Sequence, residues 1–250
     1  MTNLVAVTDD GPVRTIRMNR PEKKNALTMA MYDAMAEAIE TAGGNNALRC
    51  VLIAGAPSAF CAGNDLNDFL QAAGSSGALG QPILRFLYAL ARSEKPLVAA
   101  VRGNAVGVGT TMLMHCDHVV AGTDARFSTP FVGLGLVPEA ASSLLAPRLM
   151  GQARAFAMLV MGKPLDAEAA KAAGLINTVT APEAAEEEAM KAARDIAELP
   201  PQAVLASRRL IKGTPDEIVA RIDAEAEQFK ERLRSAEARA AFEAFLFRKR

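Results

Sequence analysis

A single carboxylate, Glu139, stands in the run TPFVGLGLVPEAASS among apolar and small residues, downstream of two glycine-interrupted stretches, FCAGNDL and GNAVGVGTT. A lone carboxylate beside two backbone N–H donors can move a proton next to a polarised carbonyl, and it has few other uses. In residues 58–66 the turn at Gly63 would leave neighbouring N–H groups unpaired and outward-facing, able to bind an oxyanion. Residues 103–111 follow an apolar strand and open a helix-like segment through Met114. A helix N-terminus of that kind also presents free N–H groups at the positive end of a dipole. Either stretch alone reads more readily as a chain turning after a strand; the two together point to a site.

Other reactive groups weigh less. Glu139 could serve as a first-turn acid for the helix that follows, with Pro138 at its start, and this role can coexist with catalysis. His115, Cys116, Asp117 and His118 fall together, but two histidines without a distant third ligand make a poor metal site, so no metal is expected. Asp117 fits a structural hydrogen bond at a strand start, and Cys116 fits a small core residue. Cys61 lies near the proposed oxyanion turn without a neighbouring histidine, which favours core packing. Asp65 and Asp68 can order the turn through side-chain bonds to the backbone. The basic end at 248–250 could meet phosphates or simply be solvated.

These residues must be held by a frame, and the pattern predicts one. Residues 4–7 and 13–18 read as strands joined by a turn. Thr28 caps a helix with Met31, Met35, Ala38 and Ile39 on one face. Residues 50–54, 97–101 and 119–121 are buried-strand candidates; the first two are each preceded by helix-like stretches, which predicts an α/β fold with parallel pairing and crossover helices. Beyond Ala140 the chain is alanine-rich and punctuated by Pro147, Gly151, Pro164, Gly174, Pro182, Pro200 and Gly213, a succession of helices. We expect a core at 1–195 and a helical region at 196–250 that packs on it or on a neighbouring subunit. Residues 71–80, rich in small side chains, are the expected mobile loop.

Lys and Arg together equal Asp and Glu at 28 each, so no nucleic-acid field is implied. The N-terminus does not read as a signal peptide, and no apolar run is long enough to suggest a membrane span. Three scattered cysteines make no disulfide framework and fit a reducing, cytoplasmic setting.

In combination, NRPEKKNAL, FCAGNDL, GNAVGVG, PEAASS and GKPLDAEAAKAAGLINTV resemble the crotonase, or enoyl-CoA hydratase/isomerase, superfamily over essentially the full chain. The resemblance implies a spiral of ββα units with a helical C-terminal part, assembly as a homotrimer or dimer of trimers, and an acyl-CoA thioester as substrate, so that CoA arrives with the substrate and no separate cofactor is needed. It places the N–H groups of Asn64 and Val108 as the oxyanion hole. It places Lys24, Ala26, Leu27, Ala62, Gly63, Asn64, Asp65 and Leu66 along the substrate. The two water-bracketing glutamates of hydratases correspond to Thr111 and Phe131, neither of which is a base. Glu139 matches the base of the peroxisomal-type Δ3,Δ2-enoyl-CoA isomerases, so isomerisation of 3-enoyl-CoA to 2-trans-enoyl-CoA is the leading expectation. An apolar pocket including Phe131 would raise the Glu139 pKa. The alternatives are hydration by an atypical site and acyl-CoA binding without turnover.

Overall fold

The computed structural model describes residues 4–56, 59–65 and 80–247. Expectations for Ser58, Leu66, Asp68, residues 71–79 and the basic end fall outside these. Strands β1 (Val5–Asp10) and β2 (Val13–Met18) form an antiparallel hairpin. Its turn is confined to Gly11 and Pro12, because Gly11 adopts φ 56°, a left-handed setting open to glycine at little cost. The first strand therefore runs on past the expected 4–7 segment, and it carries Asp9 and Asp10 into ion pairs with Arg14 and Arg194.

Helix α1 (Met29–Gly44) starts where the sequence indicates. Thr28 accepts a hydrogen bond from the Met31 N–H, and Met31, Met35, Ala38 and Ile39 are buried. Further strands follow as β3 (Cys50–Gly55), β4 (Leu97–Val101), β5 (Asn104–Val106), β6 (His118–Gly122), β7 (Arg126–Ser128), β8 (Leu165–Asp166) and β9 (Thr178–Thr180). The main sheet has the order β1-β2-β3-β4-β6-β9, parallel from β2 onward, and β5-β7-β8 make a second, smaller sheet.

Strand alternation divides the core. Val51, Ile53, Leu97, Ala99 and Val101 join the larger cluster with α1 and α2 (Gln81–Arg92). Cys50, Leu52, Ala54, Val98 and Ala100 face the smaller one. Both faces are buried, so these strands read as unbroken apolar runs.

The remaining helices are α3 (Val108–Thr111), α4 (Ser142–Leu159), α5 (Ala167–Ala172), α6 (Ala185–Glu198), α7 (Pro201–Lys212), α8 (Pro215–Leu233) and α9 (Ala236–Phe247). Alanines 185, 189 and 193 of α6 cover the smaller cluster. Pro147 lies inside α4 and does not end it; the break comes at Gly151, with φ 77° and ψ 158°. Helix α8 docks on the body of the same chain, with Tyr88 donating to Asp223 and Arg148 pairing with Glu217. No helix among the described residues is long and apolar enough to cross a membrane.

Candidate active site

Two turns are stitched together by backbone bonds. The Cys61 N–H donates to Asn104 O at 3.0 Å and the Val106 N–H to Cys61 O at 2.9 Å, joining FCAGN to β5. On its other side the Leu27 N–H donates to Gly63 O at 2.8 Å and the Asp65 N–H to Leu27 O at 2.9 Å. In a trans peptide the carbonyl and N–H point opposite ways. The Gly63 carbonyl faces Leu27, so the Asn64 N–H is aimed the other way, to the side where Cys61 meets β5. It has no acceptor among the described residues.

The second donor arises in the same manner. Gly107, at φ 55°, turns its carbonyl into α3 to accept from the Thr110 and Thr111 N–H groups, which leaves the Val108 N–H pointing out of the helix start without an acceptor among the described residues. Helix α3 is only four residues long and continues as a 3-10 turn, so the free N–H itself matters more than any macrodipole. Gly109 permits the close approach of the two turns: a Cβ there would sit 2.7 Å from Cys61 O and 2.8 Å from Cys61 Cβ. The Phe131 ring lies beside Gly107, 3.8 Å from where a Cβ would be.

Glu139 is buried, 5% exposed, and its Oε1 accepts a 2.5 Å hydrogen bond from the Thr111 hydroxyl. It does not cap the next helix, which begins at Ser142. Burial pushes its carboxyl up from 4.5 to about 8; the Thr111 hydroxyl opposes the rise and the Glu225 carboxylate adds to it. The fully buried Tyr32 phenol donates to Asn64 Oδ1 at 2.5 Å. It is held well above 10, first by burial, then by the charges of Glu139 and Cys61. One set thus gathers Tyr32 from α1, Asn64, Val108 and Thr111 from the two turns, and Glu139.

Residues 9–250 match the protein family described as enoyl-CoA hydratase/isomerase. The chain belongs to that family. A solved enoyl-CoA hydratase/isomerase from Pseudoalteromonas atlantica T6c superposes on it with TM-score 0.92 at 41% identity, over 99% of this chain and 98% of that one. Rat enoyl-CoA delta isomerase 2 is 39% identical over 212 residues, 83% of this chain but 54% of the rat protein, so the chain spans about half of that relative's length. Mouse peroxisomal enoyl-CoA delta isomerase 3 is 34% identical over 98% of this chain and 78% of its own length. Family members described as hydratases match as well.

The other residues expected along the substrate take up backbone positions. Lys24, at φ 50°, accepts from the Ala62 N–H, and Ala26 O accepts from Arg20. Asp65 pairs with Arg20 at 2.8 Å, with both side chains 15% exposed, so its carboxylate braces the turn. Cys61 is inert core: burial raises its thiol to about 12, and its sulfur accepts from the Gly63 N–H. Asp117 accepts from the Leu97 N–H at the start of β4 and pairs with Arg208 and Lys212. An open groove between α1 and α2, lined by Asp33, Glu40, Arg85 and Tyr88 among others, shares no residue with the Glu139 set.

Several supporting residues escape a reading of the sequence. Asn25, fully buried at φ 55°, accepts from the Arg20 N–H and donates to Ala59 O and Phe60 O, pinning the backbone where FCAGN begins. His115 faces Ala140 O at 2.8 Å. A carbonyl only accepts, so Nε2 carries the proton, and burial holds the ring near 4 and therefore neutral. Glu225 binds the backbone just after Glu139. A signal for it does exist: Ile218, Ile222, Glu225, Phe229 and Leu233 form the buried stripe of α8, so one acid occupies a core-facing helical position.

Proposed function

We propose that this family member converts 3-enoyl-CoA to 2-trans-enoyl-CoA. Glu139, as carboxylate, removes a proton from C2. Electron density moves into the thioester to give a dienolate, whose oxygen is held by the N–H groups of Asn64 and Val108. The Glu139 carboxylic acid then delivers the same proton to C4, leaving the double bond between C2 and C3. Each oxyanion donor of this kind is worth about 3 kcal/mol of barrier.

The observation that carries the reading is one buried carboxyl with its pKa near 8, bonded through Thr111 to the helix start whose Val108 N–H, like that of Asn64, has no acceptor among the described residues; the family resemblance, which sets Thr111 and Phe131 where hydratases carry glutamates, supports it. A general base works best with a pKa near the working pH, and its conjugate acid must persist long enough for the return step. Most of Glu139 is therefore protonated at pH 7, so kcat/KM should rise with pH and level off above about 8. Thr111 keeps the carboxyl in one orientation through both proton transfers. The substrate contacts of Lys24, Ala26, Leu27, Ala62, Gly63, Asp65 and Leu66, and assembly as a trimer or dimer of trimers, belong to the same proposal, as does a cytoplasmic location.

The test is product analysis with 3-enoyl-CoA and crotonyl-CoA. Conjugated 2-trans-enoyl-CoA from the first, with no 3-hydroxyacyl-CoA from the second, supports isomerisation. Hydration of crotonyl-CoA without isomerisation would replace the reading with an atypical hydratase, and tight binding without any product would replace it with an acyl-CoA-binding protein.

A further inference from the structure

Immediately after Glu139 the chain does something that its residue types disfavour. Ala140 and Ala141 both take left-handed φ values, 61° and 54°, where a Cβ is crowded by the backbone. Locally a single backbone bond closes the turn over them, from the Ser142 N–H to Glu139 O at 3.1 Å. Ala141 precedes α4 without a side-chain cap, and the fully buried Ser142 hydroxyl has no hydrogen-bond partner among the described residues. The side-chain hold comes from α8: Glu225 Oε2 accepts from the Ala141 N–H at 2.6 Å and Oε1 from the Ser143 N–H at 2.9 Å, on either side of that turn bond. On the opposite side the His115 ring donates to Ala140 O, and Lys212 donates to His115 O.

We propose that Glu225 is a positioning residue for Glu139: its carboxylate clamps the two left-handed alanines and so fixes the side chain that hydrogen-bonds to Thr111. This rests on the isomerase reading for its kinetic consequence but not for its physical one. Without the clamp the two alanines can relax to ordinary φ values, which rotates the peptide bonded to Glu139 and swings its side chain away from Thr111. Glu225 touches no substrate atom in this scheme, since both its oxygens are occupied by backbone.

The clamp is also a negative charge close to Glu139. The groups facing Glu139 are the Thr111 hydroxyl from α3, Tyr32 from α1, Cys61 from the oxyanion turn and Glu225 from α8. Those facing Glu225 are the Ala141 and Ser143 amides, the Ser143 hydroxyl, and Arg221 on its own helix, which also donates to Ser143 Oγ. Burial raises the Glu225 carboxyl, while the Ser143 hydroxyl, then the two amides and Arg221, favour its charged form. A charged Glu225 makes ionisation of Glu139 harder, so removing its charge lowers the Glu139 pKa.

The experiment uses Glu225→Ala and Glu225→Gln in the full chain, with Glu139→Gln as reference. In Glu225→Ala, shown folded by circular dichroism, kcat should fall roughly 10- to 100-fold with KM little changed, the cost of a misplaced base. Glu225→Gln keeps one amide contact and the side-chain volume, so it should lose less turnover, yet Glu139 should titrate below the parent's value of about 8. That titration is followed by the protonated-carboxyl infrared band, each protein minus its own Glu139→Gln counterpart, and needs no activity. Parental kcat in folded Glu225→Ala, or an unmoved Glu139 titration in Glu225→Gln, would overturn the clamp and leave the isomerase reading standing. Parental isomerisation in Glu139→Gln would instead overturn the isomerase reading, and the infrared titration would still decide the clamp. If Glu225→Ala does not fold, the Glu139 titration in Glu225→Gln decides for or against the clamp by itself.

Discussion

Glu139→Gln should stabilise the fold by an amount that grows with pH. Folding raises the carboxyl pKa from 4.5 to about 8. Below 4.5 both folded and unfolded chains hold the proton and burial of the neutral acid costs little. Between 4.5 and about 8 only the folded chain holds it, so stability falls as pH rises, and above about 8 the loss is complete. At about 1.36 kcal/mol per pKa unit the whole interval amounts to ~5 kcal/mol. Glutamine has the same shape and can still accept from the Thr111 hydroxyl, but it carries no charge into the interior. At roughly 2–4 °C per kcal/mol for a chain of this size, the melting temperature of Glu139→Gln minus that of the parent should widen by ~10 °C or more between about pH 5 and pH 9. Paired thermal melts followed by circular dichroism read this directly, and taking the difference cancels the other titrating groups. A gap that stays flat across that range would refute the claim that an ionisable carboxyl is held in a dry site.

Three further expectations follow from the same geometry. Thr111→Val removes the hydroxyl that favours the charged form of Glu139; the acid limb of kcat/KM should move to higher pH, with at least about a tenfold loss at pH 7 if that bond is worth roughly 1.5–3 kcal/mol. Gly109→Ala drives a methyl against Cys61 O and should cost about 1–3 kcal/mol in urea unfolding as well as activity, because it forces the two oxyanion turns apart. Tyr32→Phe leaves Asn64 Oδ1 without its phenol donor, and kcat for 3-enoyl-CoA should fall while the fold persists; unchanged kcat would show that the Asn64 amide needs no such support.

The site's backbone is legible in the sequence because glycine dictates it. Gly63 and Gly107 take φ 88° and 55°, values that few other residues adopt, and their spacing announces where N–H groups go unpaired. Thr28, β4 and the apolar periodicity of α1 are legible for equally local reasons. What escapes are contacts whose meaning depends on distant partners. Strands β5, β7 and β8 span two or three residues each and carry no period to detect. Asn25 looks like one more polar residue in a charged loop until Ala59 and Phe60 are set against it. Pro138 and Glu139 suggest the start of a helix, yet the carboxylate that accepts from the Ala141 and Ser143 N–H groups at the start of α4 is Glu225 of α8, while Glu139 contributes only its backbone carbonyl, to the Ser142 N–H. Its burial is visible only as an acid out of place on the apolar stripe of α8.

One carboxyl acting twice leaves an isotopic trace. In a single turnover of 3-enoyl-CoA deuterated at C2, Glu139 takes the label as it becomes the acid, and its burial at 5% exposure slows exchange with water before C4 is reached. A measurable share of deuterium at C4 of the 2-trans-enoyl-CoA product, abolished together with turnover in Glu139→Gln, is the result expected. A product whose C4 carries solvent hydrogen alone, formed as fast by Glu139→Gln as by the parent, would contradict it.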